Sequence, residues 1–345
     1  MRACVLTDWE TLELKEVPRP VPQEGQVLIH VKYAGVCGSD VNVFHHYHPT
    51  ATVPRIMCHE IFGTVEEINS SDALPYGIGS RVVVCPLTWC GKCEACRQGA
   101  FHVCRDLGIL GLHLDGGFAE YVAVNADMVF EVPKDIPDEV AILTEPFAVG
   151  FHLNTRAGVR PGDTVFVSGG GPIGLLAAMN ARYFRAGRIL VSEPNPERRA
   201  YVESFGFETV DPVKEDVVAR AMEATDGMGF DKVIEASGAA AAWKILTDIT
   251  KIRGVIAPVG IPKGFADLKV IQLIFKELTV IGNRVYTREH FARTVDMLAE
   301  LYRSGTFDLS RVVDRIMPLE QLADAIAYQS AGENKGKIVI EIGER

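Results

Sequence analysis

The sequence predicts an α/β protein with two domains, one rich in β-strands and one built on a doubly wound parallel sheet. The chain has 345 residues, more than one hydrophobic core usually organises. Its N-terminal part consists of short β-branched segments with glycines between them, which is typical of β-sheet domains. From about 148 to 285, strand patterns alternate with helical patterns, which indicates a parallel sheet covered by helices on both faces.

Composition and charge exclude several classes of protein. The formal net charge is −10 and no run of Lys or Arg occurs, which argues against a nucleic-acid-binding surface. No apolar run approaches the roughly 20 residues that a membrane-spanning helix needs. The first residues also lack the apolar core of a signal peptide. We therefore expect a cytoplasmic protein with neither nucleic-acid nor membrane partners.

Five segments of the N-terminal domain carry the strand pattern. They are rich in branched and aromatic residues, as strands are. The predicted strands are 11–17, 26–33, 61–69, 81–85 and 119–124. A proline-rich turn at 18–22 joins the first two strands as a surface loop.

A glycine-rich turn opens the second domain, between a buried strand at 164–168 and a helical segment. Gly169, Gly171 and Gly174 match the pattern G-x-G-x-x-G. In this pattern the first glycine allows a tight turn, the second lets a pyrophosphate approach the backbone, and the third lets helix and strand pack closely. The helix start presents free N–H groups to the anion. The predicted cofactor contacts here are Gly169, Gly171, Pro172, Ile173 and Gly174.

A carboxylate residue lies at the distance from the glycine turn at which dinucleotide-binding domains carry one. Glu193 follows a strand at 188–192 and lies 24 residues beyond Gly169. A carboxylate at this point accepts hydrogen bonds from the adenosine ribose and repels a 2′-phosphate. The alternative is a solvated glutamate at a strand end. Arg198, which we also predict to contact the cofactor, and Arg199 could hold a 2′-phosphate, so NAD is favoured over NADP without NADP being excluded.

The remaining elements complete the sheet and return to a helical region. Further strands are predicted at 232–235, 254–259 and 278–281, helices at 288–304 and 319–328, and a closing strand at 337–342.

Four of the eight cysteines lie within fifteen residues. Cys90, Cys93 and Cys96 form two consecutive C-x-x-C steps, and Cys104 follows eight residues later. Four thiolates at this spacing bind one tetrahedral Zn²⁺ and leave no open position, so we predict a structural zinc site. The alternative is a set of free thiols or a redox pair.

A second set of residues suits an open metal site. Cys37, the pair His59–Glu60, and Glu145 supply thiolate, imidazole and carboxylate donors. Together such donors bind zinc while leaving a position for water or substrate. Taken singly, each residue also has an ordinary structural explanation. Spacing alone does not join Cys37 to Glu145.

The order of these motifs resembles the zinc-dependent medium-chain dehydrogenase family. The motifs are Cys37-Gly-Ser-Asp40, His59-Glu60, the four-cysteine lobe, the segment 115–121, Glu145-Pro146 and the turn 169–174. The resemblance covers essentially the whole chain. It is strongest with the sorbitol, L-threonine, butanediol and sugar-acid dehydrogenases, since Glu145 stands where classical alcohol dehydrogenases carry a zinc-binding cysteine.

This resemblance implies a domain plan. Residues 1–147 would form a GroES-like catalytic domain with a structural zinc lobe at about 86–108. Residues 148–285 would form an NAD-binding Rossmann domain. Residues 286–345 would return to the catalytic domain.

The resemblance also implies roles for individual residues. Cys37, His59 and either Glu60 or Glu145 would hold a catalytic zinc, so the chain would bind two zinc ions, one catalytic and one structural. Ser39, His59 and Glu60 would be the catalytic residues, with Ser39 relaying the substrate proton. Asp40 would orient a zinc ligand. Asn283 and Arg284 would line the cofactor cleft.

Two positions depart from the family pattern. Cys58 replaces the usual glycine before the His–Glu pair, either as a small buried residue or, less favoured, as an oxidation-sensitive thiol. Asn42 stands where many relatives carry a histidine that ends the proton relay. His45, His46 and His48 lie close by in the sequence and could substitute, but we expect at least two of them only to shape the substrate pocket.

The expected activity is zinc- and NAD-dependent oxidation of a secondary alcohol to a ketone, with a polyol or sugar-derived substrate. L-Threonine and 2,3-butanediol are alternatives in the same class. Two other classes stay open: an NAD-binding regulator that keeps zinc only for structure, and a redox sensor built on the cysteines of 90–104. The resemblance implies a homotetramer or homodimer.

Overall fold

The computed structural model describes residues 1–262 and 264–343, and the chain divides into two units. The first contains residues 1–145 together with the described residues from 287 onward, and the second contains residues 146–286. No helix among the described residues combines the length and the apolar character needed to cross a membrane.

The secondary structure follows the predicted alternation. The strands are β1 Arg2–Asp8, β2 Thr11–Glu16, β3 Gln26–Val36, β4 Arg55–Ile56, β5 Glu60–Asn69, β6 Arg81–Val84, β7 Leu87–Thr88, β8 Gly108–Ile109, β9 Tyr121–Asn125, β10 Val129–Glu131, β11 Thr164–Ser168, β12 Arg188–Ser192, β13 Glu208–Val210, β14 Phe230–Glu235, β15 Thr250–Pro258, β16 Thr279–Val280, β17 Val313–Pro318 and β18 Lys337–Glu341. The helices are α1 Gly38–Phe44, α2 Glu94–Arg97, α3 Asp138–Ala141, α4 Thr144–Ala157, α5 Pro172–Tyr183, α6 Pro196–Glu203, α7 Val217–Ala224, α8 Ala240–Ile249, α9 Val270–Phe275, α10 Arg288–Ser304 and α11 Leu322–Ser330.

The first unit is organised around the long strand β3. Its sheet has the strand order β10-β6-β5-β3-β18-β17, and β9 pairs with the other part of β3. β3 runs antiparallel to β5, β9 and β18. Val27, Ile29 and Val31 on one face of β3 are fully buried, and Leu28 on the other face is fully buried too, so β3 lies in the interior of the unit. The C-terminal end of β3 is therefore flanked by β5 and β18.

The second unit is a six-stranded parallel sheet with the order β13-β12-β11-β14-β15-β16. Its central strands are buried at consecutive residues rather than at alternate ones, and Val165, Phe166 and Val167 are at most 1% exposed. The strand order is that of the dinucleotide-binding doubly wound fold. The predicted fold class is thus confirmed, and the ligand crevice of such a sheet is expected beyond the carboxyl ends of β11 and β14.

Most predicted elements are present, with small differences at their ends. The helix predicted at 288–304 coincides with α10, whereas the one predicted at 319–328 is a 3₁₀ turn, Leu319–Gln321, followed by α11. The strand β1 and the helix α4 were not among the predicted elements.

Candidate functional site

The first site forms where β3 ends and α1 begins. Cys37 is the N-cap residue of α1, directly after Val36. The fully buried Asp40 accepts two backbone N–H bonds, at Oδ2 from Cys37 (2.8 Å) and at Oδ1 from Cys58 (3.2 Å). One carboxylate therefore fixes the segment that carries Cys37 to the segment that carries His59.

Strand register brings the other donors to the same place. Glu60 is the first residue of β5 and lies opposite Gly35 of β3. One ligand atom each from Cys37, His59 and Glu60 lies within 4.8 Å of the other two. The side chains of His59 and Glu60 are buried, while Cys37 is half-buried. The chain thus gathers a sulfur, a nitrogen and an oxygen donor around one point.

The electrostatics of this site favour a cation. Burial by itself lowers the pKa of His59, but the charges of Cys37, Asp40 and Glu145 outweigh it, so the pKa is raised well above its usual value. A negative potential that stabilises an imidazolium also stabilises a bound metal ion. With thiolate, imidazole and carboxylate donors present, the residues fit Zn²⁺.

Glu145 acts on this site through its charge. It lies near the start of α4 and is 7% exposed. It does not belong to the set of donors within 4.8 Å of one another, yet its charge raises the pKa of both His59 and Lys337.

Lys337 is a residue of this site that the sequence analysis missed. It begins β18, whose next residue, Ile338, pairs with Val36 of β3. Its ammonium donates to Glu60 Oε1 at 2.5 Å and to the Val36 carbonyl at 2.8 Å. The available signal was a lysine directly before the apolar run at 338–340, since lysines are seldom buried without a partner.

Ser39 lies in the first turn of α1, two residues after Cys37. Its Oγ is buried and has no hydrogen-bond partner among the residues that the structure describes. An unpaired buried hydroxyl is costly, so this oxygen is suited to bonding a ligand.

The histidines after α1 are engaged by other side chains. His45 bonds Glu10 through Nδ1 (2.6 Å) and Ser330 through Nε2 (3.2 Å). The ring of His46 stacks on Trp9 at 3.9 Å. These two side chains therefore have partners within the protein, and their part in shaping the substrate pocket stays a prediction.

Cys58 adopts a backbone conformation that explains why glycine is usual there. Its φ is +84°, in the left-handed region where a Cβ is unfavourable. The side chain is fully buried, and Sγ donates to the carbonyl of Glu60 at 3.1 Å. Burial raises the pKa of the thiol well above its usual value, which keeps it protonated. These properties favour a packed residue over an oxidation-sensitive one.

The four-cysteine lobe forms a second candidate metal site. The sulfur atoms of Cys93 and Cys96, of Cys93 and Cys104, and of Cys104 and Cys90 lie 3.5, 3.8 and 3.5 Å apart. Zn–S bonds of about 2.3 Å place tetrahedral sulfurs about 3.8 Å apart. Backbone N–H groups of Arg105 and Cys96 lower the pKa of Cys93 to about 6, which favours the thiolate. The lobe fits a closed zinc site.

The glycine turn of the second unit has the geometry that its sequence implies. Gly169 has a φ of +101°, and a Cβ on Gly174 would lie 1.8 Å from the carbonyl oxygen of Gly169. Nothing lies within 4 Å of a Cβ built on Gly171, the N-cap residue of α5. The first and third glycines are therefore required by the backbone, and the second leaves room for a ligand.

A cavity of about 710 Å³ opens beside this turn. Its lining includes Gly169, Gly171, Glu193, Arg198 and Ser237. Each carboxylate oxygen of Glu193 accepts one backbone N–H, Oε2 from Gly170 at 2.8 Å and Oε1 from Asn195 at 2.9 Å. Since a carboxylate oxygen accepts two bonds, both retain capacity for ribose hydroxyls. The residues fit a dinucleotide.

The two arginines after Glu193 differ. The guanidinium of Arg199 donates to the carbonyls of Glu193 and Pro194 and pairs with Asp211 at 2.8 Å. The guanidinium of Arg199 is thus engaged by groups of the protein itself, whereas Arg198 lines the cavity.

Asn283 and Arg284 lie beyond β16 and are not among the residues that line this cavity. Nδ2 of Asn283 donates to the carbonyls of Pro258 and Ile281. Pro172, Ile173 and Gly174 form the start of α5 behind the turn and are likewise outside the lining.

Comparisons with known proteins identify the family of the chain. The family model of the alcohol dehydrogenase GroES-like domain matches residues 23–134, and that of the zinc-binding dehydrogenases matches residues 172–300. The chain is 33% identical to the 2-dehydro-3-deoxy-L-galactonate 5-dehydrogenase of Pseudoalteromonas atlantica, over 93% of this chain and 92% of the relative. It is 35% identical to the L-threonine 3-dehydrogenase of Pyrococcus abyssi, over 95% and 94%. A solved zinc-binding dehydrogenase from Sinorhizobium meliloti bound to NADP superposes with a TM-score of 0.89 at 30% identity, covering 99% of this chain and 98% of that one.

Proposed function

The chain belongs to the zinc-dependent medium-chain dehydrogenase family and is an oxidoreductase, and from this premise we propose that it oxidises a secondary alcohol of a sugar acid or polyol to the ketone, with NAD as the hydride acceptor. The observation that carries the proposal is the donor set of Cys37, His59 and Glu60 together with the buried hydroxyl of Ser39, which has no partner among the described residues. The relative that acts on a sugar acid supports the substrate class. Oxidation of L-threonine is the second candidate, favoured by the relative that carries that name.

In the proposed reaction the chain's own residues bind, orient and deprotonate the substrate. A bound zinc ion would act as a Lewis acid that lowers the pKa of the substrate hydroxyl. Cys37, His59 and Glu60 or Glu145 would hold it. Ser39 would accept the hydroxyl proton at Oγ while its own hydroxyl proton passes onward. Because Asn42 cannot ionise near neutral pH and Ser39 Oγ is buried, a hydroxyl of the bound cofactor and then water would carry that proton to solvent.

We propose a preference for NAD on the basis of the charged groups at this cavity. Glu193 brings a negative charge to the cavity, which disfavours a 2′-phosphate. Arg199, which could otherwise bind that phosphate, is held by Asp211. Arg198 lines the cavity and the solved relative is bound to NADP, so the ratio of kcat/KM for NAD to that for NADP is the measurement that tests this preference.

We propose two zinc ions per chain, one in the lobe and one in the open site. The domain assignments that we propose are a GroES-like catalytic domain at 1–147 and 286–345 and a Rossmann domain at 148–285. The lobe thiols must stay reduced to bind metal, which supports the cytoplasmic location that we propose.

We propose a homodimer or homotetramer whose subunits meet at the outer edge of the parallel sheet. β16 ends the strand order, and eight large apolar side chains between 252 and 280 are 43–102% exposed. They are Ile252, Ile261, Phe265, Val270, Ile271, Ile274, Phe275 and Val280. Burial of a large apolar side chain is worth about 2 kcal/mol at about 25 cal/mol per Å², which corresponds to about 80 Å² of apolar area for each fully exposed side chain. Scaled by their exposed fractions, the eight side chains offer roughly 450 Å² of apolar area. Because about 60% of an interface is apolar, this area corresponds to an interface of about 750 Å² per subunit, near the standard size.

The oligomer proposal is tested by light scattering coupled to size exclusion. Ile274→Glu should shift the protein to a smaller species, whereas Met228→Glu, at another exposed apolar position of the same unit, should leave its mass unchanged. A monomeric wild-type protein would refute the proposal.

The activity is tested by NAD reduction at 340 nm on sugar acids, polyols, sugar phosphates, L-threonine and butanediol isomers. NADP is the cofactor control. Cys37→Ser should abolish turnover and remove one of two zinc ions, whereas Cys85→Ser, at a buried cysteine outside both sites, should keep both. One zinc per wild-type chain and no turnover would instead favour the regulator.

A further inference from the structure

Glu235 is a fully buried carboxylate at the end of β14, and the reaction described so far does not use it. Its Oε1 accepts three hydrogen bonds, from the backbone N–H groups of Ser237 at 2.9 Å and Gly238 at 3.0 Å and from the Ser237 hydroxyl. Donors that converge on one oxygen stabilise the ionised form of a carboxylic acid. Glu235 therefore places a negative charge inside the second unit.

The other oxygen of this carboxylate has no partner of its own. Oε2 is buried and accepts no hydrogen bond from any residue within 1–262 and 264–343. It lies against Gly260, where a Cβ would come within 2.6 Å of it. The groups that donate to Oε1 are all uncharged. A buried charge that no cation of the described residues neutralises acts over a longer distance than a paired one, because little water screens it.

Strand register places this charge next to the glycine turn. Glu235 lies opposite Ser168 of β11, the residue directly before Gly169. Ser237 packs against the turn, since a Cβ on Gly169 would lie 3.1 Å from its Cα. Ser237 also lines the cavity of about 710 Å³ beside the turn. The charge of Glu235 is thus one side chain away from the space where we expect the cofactor.

The strand order indicates which half of a dinucleotide this charge would meet. Glu193, the expected ribose ligand of the adenosine half, follows β12, and the glycine turn for the pyrophosphate follows β11. On the other side of β11, the neighbouring strand is β14. Because a dinucleotide extends across the carboxyl ends of such a sheet, its nicotinamide half is expected over the end of β14.

The nicotinamide ring is the part of the cofactor whose charge changes in the reaction. The ring carries a positive charge in NAD, and the hydride that it receives from the alcohol carbon, with two electrons, makes it neutral in NADH. A fixed negative charge nearby therefore favours binding of NAD over binding of NADH. A hydrogen bond to the ribose or the pyrophosphate would not distinguish the two forms, because both forms carry these groups.

We propose that Glu235 is a specificity-determining residue for the oxidation state of the cofactor, and that its buried charge favours NAD over NADH. This inference rests on the proposed function, because it requires a nicotinamide dinucleotide in the cavity. Oxidation of an alcohol begins with capture of NAD and ends with release of NADH. A charge that lowers the relative affinity for NADH favours that release, a step that limits the rate of many dehydrogenases and other enzymes.

The experiment measures the dissociation constants of NAD and NADH by titration calorimetry on the zinc-loaded protein. Glu235→Gln removes the charge at nearly unchanged shape and keeps an acceptor oxygen for the three donors. Glu235→Asp retains the charge. Asp231→Asn is the matched control, since Asp231 lies on the same strand about 13 Å toward its amino end and pairs with Lys251.

Two unit charges about 10 Å apart at an effective dielectric of about 20 change a binding equilibrium by roughly 10-fold. We therefore expect the ratio of the Kd for NADH to the Kd for NAD to fall by about 10-fold in Glu235→Gln. Glu235→Asp and Asp231→Asn should keep this ratio within about 3-fold of wild type.

An unchanged ratio in Glu235→Gln would overturn the inference, whether both affinities persist or both fall together. If both fall together, Glu235 only shapes the turn that holds Ser237. An equally large change of the ratio in Asp231→Asn would also overturn it, because the effect would then not depend on the position of the charge. These results leave the proposed function standing, since the wild-type protein binds NAD in all of them. A wild-type protein that binds neither form would reject the proposed function and the inference with it.

Discussion

The strained backbone at Cys58 leads to a sharp prediction about stability. At a φ of +84°, a residue with a Cβ is less stable than glycine by roughly 1–2 kcal/mol. Glycine in turn loses about 0.5–1 kcal/mol more backbone entropy on folding than alanine does. Cys58→Gly should therefore be more stable than Cys58→Ala by about 0.5–1 kcal/mol. Both should be less stable than wild type, because both lose the buried sulfur and its bond to Glu60.

Cys4 provides the matched control. It is 5% exposed, lies in β1 of the same unit and is not among the residues with positive φ. There the order should reverse, with Cys4→Ala more stable than Cys4→Gly by about 0.5–1 kcal/mol.

Scanning calorimetry of the zinc-loaded variants measures both differences. For a unit of this size, 1 kcal/mol corresponds to a shift of about 2–4 °C in the melting temperature. If Cys58→Gly melts below Cys58→Ala by the same margin as the Cys4 pair, backbone strain does not explain the usual glycine.

Three further predictions concern the other features. Because burial raises the pKa of Cys58, iodoacetamide at pH 8 should leave it unmodified in the native protein; rapid labelling seen by mass spectrometry would contradict its packing. Gly174→Ala places a Cβ 1.8 Å from the Gly169 carbonyl and should weaken NAD binding in calorimetry at least about 10-fold with zinc content unchanged; retained affinity would refute the close-packing argument. Glu193→Ala should raise the KM for NAD by about 10-fold and lower the KM for NADP, because the carboxylate that repels the 2′-phosphate is removed, and an equal effect on both cofactors would exclude Glu193 from ribose selection. 

The parts predicted most closely from the sequence are those that local spacing determines. β11 and β12 coincide with the predicted strands, and the glycine turn between strand and helix has the geometry that its pattern requires. The four lobe cysteines also lie within fifteen residues, so their spacing alone brings them together. In both cases the interacting atoms are near neighbours along the chain.

The parts that could not be predicted depend on distant segments. Lys337 reaches Glu60 across 277 residues, because β18 pairs with β3 and β3 pairs with β5. No periodicity reports such a pairing. The backbone conformation of Cys58 also depends on a distant segment, because its carbonyl oxygen packs against Gly116. A Cβ on Gly116 would lie 1.9 Å from that oxygen.

The two candidate metal sites therefore differ in what holds their donors. In the lobe, the sulfurs lie on short elements, and their nearest polar partners are one another and nearby N–H groups. In the open site, Asp40 fixes two backbone segments, and Glu60 on β5 is held by Lys337 of β18, on the other side of β3. A site fixed by its sheet keeps its donors in place before metal binds, which suits a metal that must leave one position open. A site fixed by its metal suits a closed structural zinc.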